Sequence, residues 1–174
     1  PASTAVQKEM FPLVDRDGLT KPVIQIIGEE AIESGIEELC IITQPGEEKQ
    51  YREYFRRLDD ENVKGFRGKD WAILESEKLA AFGERLHFAE QHSPEGFGHA
   101  VYQAKKFVGD EPFLLMLGDH VYISDTRERC ARQLIRVYEQ YMLDAATSVQ
   151  PTLERLLHLF GTIRGNPIDP AKGI

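Results

Sequence analysis

Residues 112–122 read PFLLMLGDHVY: an unbroken apolar run, Phe113 to Leu117, that ends in a glycine, an acid and a histidine. A continuous run of this kind predicts a strand covered on both faces, and such strands belong to parallel sheets. In open parallel sheets, ligands gather beyond the carboxyl ends of the strands. Asp119, two residues past the last apolar side chain and just after the flexible Gly118, is therefore expected at a ligand-binding edge.

Working outward from that run, the same alternation recurs. Val23, Ile26, Ile27, Ala31 and Ile32 repeat at helical spacing over residues 22–34, with Pro22 suited to the first turn and Gly35 to the end. LCIIT (39–43) predicts a short strand, QPGEE (44–48) breaks the chain, and the charged, aromatic segment 47–58 predicts a helix. NVKGFRGKDW (62–71) predicts an exposed loop, residues 72–81 a helix, and RLHFAEQ (85–91) a strand. In HSPEGFGHAVYQAKKF (92–107) a glycine-marked loop opens a helix carrying Ala100, Val101, Ala104 and Phe107 on one face. Beyond the opening run, residues 127–141 predict a helix, ATSVQPT (146–152) a strand, LERLLHLF (153–160) a helix, and 161–173 a loop-rich end. Strands alternating with helices imply an α/β fold, a mostly parallel sheet layered with helices.

The 174 residues, 41% of them hydrophobic, suit one domain over 1–174 rather than two. With 21 Lys+Arg against 29 Asp+Glu the formal charge is −8, which repels phosphates over most of the surface and argues against a nucleic-acid partner. An anionic ligand then needs a local cluster of donors. Cys40 and Cys130 form no CxxC pair, and no secretory segment opens the chain, so a reduced, cytoplasmic protein is expected. No stretch approaches the ~20 apolar residues that span a bilayer, so no membrane partner is expected.

Several residue types could carry chemistry. A carboxylate at a strand end, such as Asp119, can coordinate a Mg²⁺ that bridges phosphate oxygens, because Mg²⁺ takes one or two protein carboxylates and leaves the rest to water and phosphate. It can equally bond the turn or cap the next element of the chain. His120 could serve as metal ligand or acid/base, yet no second histidine lies at metal-site spacing and no nucleophile motif accompanies it, which also suits an ordinary loop histidine. His87, His92 and His158 likewise stand without evident partners, and Cys40 suits a small buried hydrophobe.

In QHSPEGFGHA (91–100), Gly96 and Gly98 lack a Cβ and let a ligand reach the backbone, while Gln91 offers the donor and acceptor needed to read the edge of a base. A helix-entry loop with a surface glutamine would look the same. Lys8 and Glu9 in QKEMFPLVD (7–15) suit a phosphate and an N–H donor respectively, or a surface ion pair. Neither a G-x-G-x-x-G fingerprint nor a G-x-x-x-x-G-K-[ST] phosphate loop is present.

Taken in order, residues 1–15 (PASTAVQKEMFPLVD), 21–43 (KPVIQIIGEEAIESGIEELCIIT), 90–119 (EQHSPEGFGHAVYQAKKFVGDEPFLLMLGD) and 160–163 (FGTI) resemble the bacterial-type UTP-glucose-1-phosphate uridylyltransferases of the sugar-nucleotide pyrophosphorylase superfamily. The likeness covers nearly the whole chain and is weakest over 59–84 and after 161. It implies the nucleotide-diphospho-sugar transferase fold, a Rossmann-like sheet with helices on both faces. It also implies a reaction in which a phosphate oxygen of glucose 1-phosphate attacks the α-phosphorus of UTP, giving UDP-glucose and pyrophosphate with Mg²⁺. Such displacements rely on positioning and charge neutralisation rather than a protein nucleophile.

By that resemblance Lys8 would face the phosphates, Glu9 and Gln91 would contact the uracil with Gly96 beside it, Asp119 would hold the metal, and Gly161 would lie against the sugar. The family also has a first strand with a G-x-G-T-R loop, a Glu-Lys-Pro segment and a second metal-binding aspartate, expected before Pro1 and after Ile174. The chain then corresponds to the central part of such an enzyme, and a non-catalytic module that binds a sugar nucleotide is the competing expectation. A homo-oligomer is left open.

Overall fold

The structure is a computed structural model that describes residues 7–65, 69–166 and 168. Its first regular element after a 3-10 turn at Lys8–Met10 is a hairpin, strand β1 (Pro12–Val14) antiparallel to β2 (Thr20–Pro22). The turn between them closes through Asp15 N–H to Leu19 O, 2.8 Å, and Gly18 N–H to Asp15 O, 2.9 Å, with Gly18 at φ +81°. Positive φ is a conformation that glycine adopts without steric cost. The sequence pattern does not predict this hairpin. Its anchor is Lys21, whose buried ammonium lies 2.8 Å from Asp15, 2.7 Å from Asp17 and 2.7 Å from Glu29.

Helix α1 (Val23–Glu33) comes directly after β2, as its spacing predicts, and buries Val23, Ile26, Ile27 and Ala31. Gly35, at φ +102°, lets the chain leave the helix. Strand β3 (Leu39–Thr43) then pairs in parallel with β4 (Leu86–Glu90), register Leu39 to Leu86 through Thr43 to Glu90. A parallel pair needs a crossover of a dozen or more residues. Here it runs through α2 (Glu48–Tyr54), α3 (Asp60–Gly65) and α4 (Asp70–Gly83).

The crossover supplies the core. Tyr51, Phe55, Phe82 and Leu86 are buried together, with Met10, Ile24, Leu39, Ile41 and Phe88 packed on them. The Phe55 and Phe82 rings pack at a tilt of 40° with centroids 4.9 Å apart. Each fully buried side chain of this type stabilises by about 1.5–3 kcal/mol. Gly28 is the point of closest approach: a Cβ there would collide with the Phe82 ring.

Six expectations are corrected. Residues 62–65 belong to α3 rather than to an exposed loop, because Asp59 starts a turn: its carboxylate accepts from Asn62 N–H, 2.9 Å, and its carbonyl from Val63 N–H, 3.0 Å. Residues 66–68 lie outside the described residues. The run 113–117 forms no strand, since among the described residues no ladder partner flanks it; Phe113 is 56% and Leu115 49% exposed. ATSVQPT likewise carries no ladder, and 153–160 is a 3-10 helix (Glu154–Leu159) instead of an α-helix. Helices α5 (Phe97–Gln103) and α6 (Lys105–Val108) divide the helix expected from the glycine loop, and α7 (Cys130–Tyr141) begins three residues later than its pattern suggests.

Helix α7 docks on α1 through buried Glu30. One carboxylate oxygen accepts from the Ala131 backbone N–H at 2.9 Å and the other meets Arg129 at 3.2 Å, while Arg129 also binds Glu33. A carboxylate at a helix N-terminus satisfies an orphan donor and complements the dipole. No helix among the described residues is long and apolar enough to cross a membrane.

Candidate nucleotide site

Of the residues expected to act, Lys8, Glu9 and Asp119 come together from distant parts of the chain. The Lys8 ammonium donates to Asp119 Oδ2 at 2.7 Å and stands 3.8 Å from Glu9 Oε1. Lys8 is placed by the 3-10 turn, closed by Phe11 N–H to Lys8 O at 3.2 Å, and Phe11 O in turn accepts from Val23 N–H at the start of α1. Met10, in the same turn, is packed against the core. Asp119 lies within a turn closed by His120 N–H to Leu117 O, 3.2 Å.

Gly118 has a steric role here. A Cβ at that position would sit 3.1 Å from Glu9 Cγ and 4.0 Å from Ile24 Cδ1, so glycine permits Glu9 to lie against the backbone. The hydrogen bond from Lys8 holds the Asp119 carboxyl below its usual range, and the same bond raises the Lys8 ammonium. Burial, with help from the Glu9 and Glu47 carboxylates, pushes the Tyr51 phenol up to about 12. Tyr51 thus stays a neutral hydroxyl beside Glu9.

A second group gathers at the end of β4. Gln91 N–H continues the ladder to Thr43 O at 2.8 Å, and its side-chain Nε2 lies 3.3 Å from Gly96 O and 3.0 Å from His99 Nδ1. Gly96 caps α5 at φ +110° with nothing within 4 Å of where a Cβ would stand, so its backbone is open to a ligand. Gly161, by contrast, lies on an exposed segment, and a Cβ there would meet nothing within 4 Å. It is not packed against either group.

Two buried acceptors adjoin these residues without a hydrogen-bond partner among the described residues: Gln7 Oε1 beside Lys8, and Thr43 Oγ1 beside Gln91. Buried polar atoms of this kind are uncommon in native structures. Sequence reasoning misses His99, which helical periodicity does not distinguish from its neighbours; its spacing of four from Gln103 is the available signal. It also misses the acidic neighbours of His87 and His92, which stand 3.6 Å from Glu38 and 3.5 Å from Glu90.

Among the described residues no cluster of three or more ligating side chains surrounds Asp119. A single half-exposed carboxylate at an open edge suits a Mg²⁺ that completes its shell with water and phosphate, and does not suit Zn²⁺, which takes three or four protein ligands.

A family described as Nucleotidyl transferase matches residues 1–166. A UTP-glucose-1-phosphate uridylyltransferase of Bacillus subtilis (strain 168) is 38% identical over 163 residues, 94% of this chain and 52% of that protein. One from Streptococcus pyogenes is 37% identical over 142 residues, 80% of this chain and 44% of that protein. The crystal structure of an apo UDP-glucose pyrophosphorylase superposes with a TM-score of 0.65 at 28% identity, covering 82% of this chain and 50% of the other. A UTP-bound counterpart from Acinetobacter baumannii gives 0.66 at 26% identity, over 82% and 48%. The chain spans about half the length of the curated relatives it matches.

Proposed function

Because this chain belongs to the nucleotidyl transferase family, we propose that the protein joins UTP and glucose 1-phosphate into UDP-glucose, with release of pyrophosphate. The observation that carries this reading is the Lys8–Asp119 pair, 2.7 Å, with Glu9 beside it. It sets a cation for phosphate and an anion for a metal at one exposed edge. The relatives' names supply the substrates, and structures described as UDP-glucose-complexed and UTP-bound support a nucleotide in this fold.

In this reading Lys8 exchanges Asp119 for a phosphate oxygen of UTP, which is how an ammonium acts as a point charge. Glu9 and Gln91 hold the uracil, Gly96 lets it approach the backbone, and Gly161 approaches the sugar. Asp119 would hold Mg²⁺, which neutralises charge developing on the phosphates when bound. The chain's own residues align the attacking oxygen of glucose 1-phosphate with the α-phosphorus and the departing pyrophosphate, so the reaction proceeds by positioning. The whole reading is of a single domain over 1–174 working in the cytoplasm, where Cys40 and Cys130 stay as free thiols.

The test is pyrophosphate release from UTP with and without glucose 1-phosphate in Mg²⁺. Release that depends on the sugar phosphate, and that falls about a hundredfold or more in Asp119→Ala, is expected. UDP-glucose binding with no turnover would instead favour the non-catalytic module, and an unchanged rate in Asp119→Ala would remove the metal assignment.

A further inference from the structure

Three side chains that the uridylyl reading gives to three different ligand groups are tied to one another. The Lys8 ammonium, meant for phosphate, donates to Asp119 Oδ2 at 2.7 Å and stands 3.8 Å from Glu9 Oε1. Asp119 is meant for the metal and Glu9 for the base. Without ligand, the cation of the site is thus spent on its own anions.

This contact competes with both ligands. A Mg²⁺ needs a carboxylate oxygen at about 2.0–2.1 Å, so it and the ammonium cannot both stand against Oδ2. On Oδ1 the ion would face the ammonium across one carboxylate, where like charges repel. Oδ1 itself is 4.0 Å from His120 Nε2, beyond hydrogen-bonding range. A phosphate likewise has to draw Lys8 away from Asp119, leaving a bare carboxylate beside it. Both side chains are substantially exposed, so the contact opens at small cost, whereas the turns that present them are closed by Phe11 N–H to Lys8 O and His120 N–H to Leu117 O. Exchange then needs only the side chains to swing.

We propose that the Lys8–Asp119 pair is an internal latch: in the empty site each charge fills the place of the other's ligand, so metal alone and nucleotide alone each bind against it, and whichever arrives first clears the place of the second. The proposal rests on the uridylyl reading above and deepens it, since it concerns regulation of the same site. The coupling is reciprocal: the factor by which opening the latch with one ligand favours the other is the same in either order. Its signature runs against the ordinary expectation for a binding residue. Removing Asp119 improves the binding of nucleotide without metal, and removing Lys8 improves the binding of metal without nucleotide.

Two titrations of the full chain test it. With a chelator present, UTP is expected to bind Asp119→Asn about two- to fivefold more tightly than wild type, the range that an exposed ion pair supports. With no nucleotide present, Mg²⁺, followed through the amide shifts of Gly118 and His120, is expected to bind Lys8→Gln more tightly than wild type by a similar factor. Unchanged or weaker binding in either titration overturns the latch. The double variant separates the pair from plain repulsion between Asp119 and the nucleotide. In a Lys8→Gln background the Asp119→Asn change is expected to tighten UTP less than it does in wild type, and an equal or larger gain there also overturns the latch. The metal titration uses no nucleotide, so it judges the latch independently of the uridylyl reading. A wild-type chain that binds no UTP even with Mg²⁺ overturns that reading instead.

Discussion

LCIIT at 39–43 and FLLML at 113–117 are two five-residue runs of similar apolarity with different fates. The first is β3, laddered to β4 along its whole length and backed by a core of four buried side chains. The second has no ladder among the described residues and leaves Phe113 and Leu115 half exposed. Apolar composition supplies the tendency to be buried, but a strand also needs a neighbour for every N–H and C=O. Asp119, just beyond the second run, is consequently held by its salt bridge to Lys8 and by the Gly118–Glu9 contact instead of by a sheet.

The strongest way to break this comparison is to truncate a side chain from each side of it. Phe82→Ala removes a ring packed against Phe55 and over Gly28, and an unfolding free energy lower by about 3–5 kcal/mol is expected from denaturant titration. Leu115→Ala, at a half-exposed position, is expected to cost less than about 1 kcal/mol. Equal losses would mean that the second run is packed in solution as tightly as the first.

Next in size is Lys21. Its ammonium is buried among Asp15, Asp17 and Glu29, and although burial alone would lower its pKa, the three carboxylates raise it well above the usual 10.5. Lys21→Met leaves those carboxylates facing one another, and a loss of about 3 kcal/mol is expected, with little dependence on salt. Because the hairpin joins the Lys8 turn to α1, the same variant should weaken nucleotide binding. A loss below about 0.5 kcal/mol would show that surface pairing, not burial, governs this cluster.

Glu30 comes third, as the tie between α1 and the α7 helix beyond the second run. Glu30→Gln keeps an acceptor for the Ala131 N–H but gives up the charge on Arg129, and about 1–2 kcal/mol is expected from thermal or chemical unfolding. The result sharpens the comparison, since it measures how far the later half of the chain leans on the earlier one.

Much of this arrangement is legible in the sequence. Helix α1 and strands β3 and β4 are readable because each carries its own period, with a stop signal in Gly35 after α1 and in the Pro45-Gly46 break after β3. The meeting of Lys8 with Asp119 across 111 residues is readable only through resemblance, since no local pattern links them. Three features are out of reach for physical reasons. The β1–β2 hairpin is held by a buried lysine, and charge patterns on a short segment do not reveal burial. Strand formation by 113–117 depends on a neighbour that the run itself does not encode. The meeting of Gln91, His99 and Gln103 depends on three side chains at once.

The smallest expected effect concerns the Lys8–Asp119 pair, and it separates the site from the core on which it stands. Both groups are substantially exposed, 67% for Lys8 and 40% for Asp119, so the pair contributes no more than about 1 kcal/mol to folding. Asp119 is held below its usual 3.8 by the Lys8 hydrogen bond; its contribution is therefore present above 3.8 and lost as pH falls through the lowered folded value. Lys8 is raised above 10.5 by the same bond, so its contribution is present below 10.5 and lost as pH rises through the raised value. The stability difference between wild type and Asp119→Asn should be flat between those limits, vanish beyond each, and shrink at about 1 M salt, where the screening length is about 3 Å. A difference above about 2 kcal/mol that persists in such salt would make Asp119 a structural residue and end its claim to the metal. A small, screened difference leaves its carboxylate free to leave Lys8 for a cation, as binding at this edge requires.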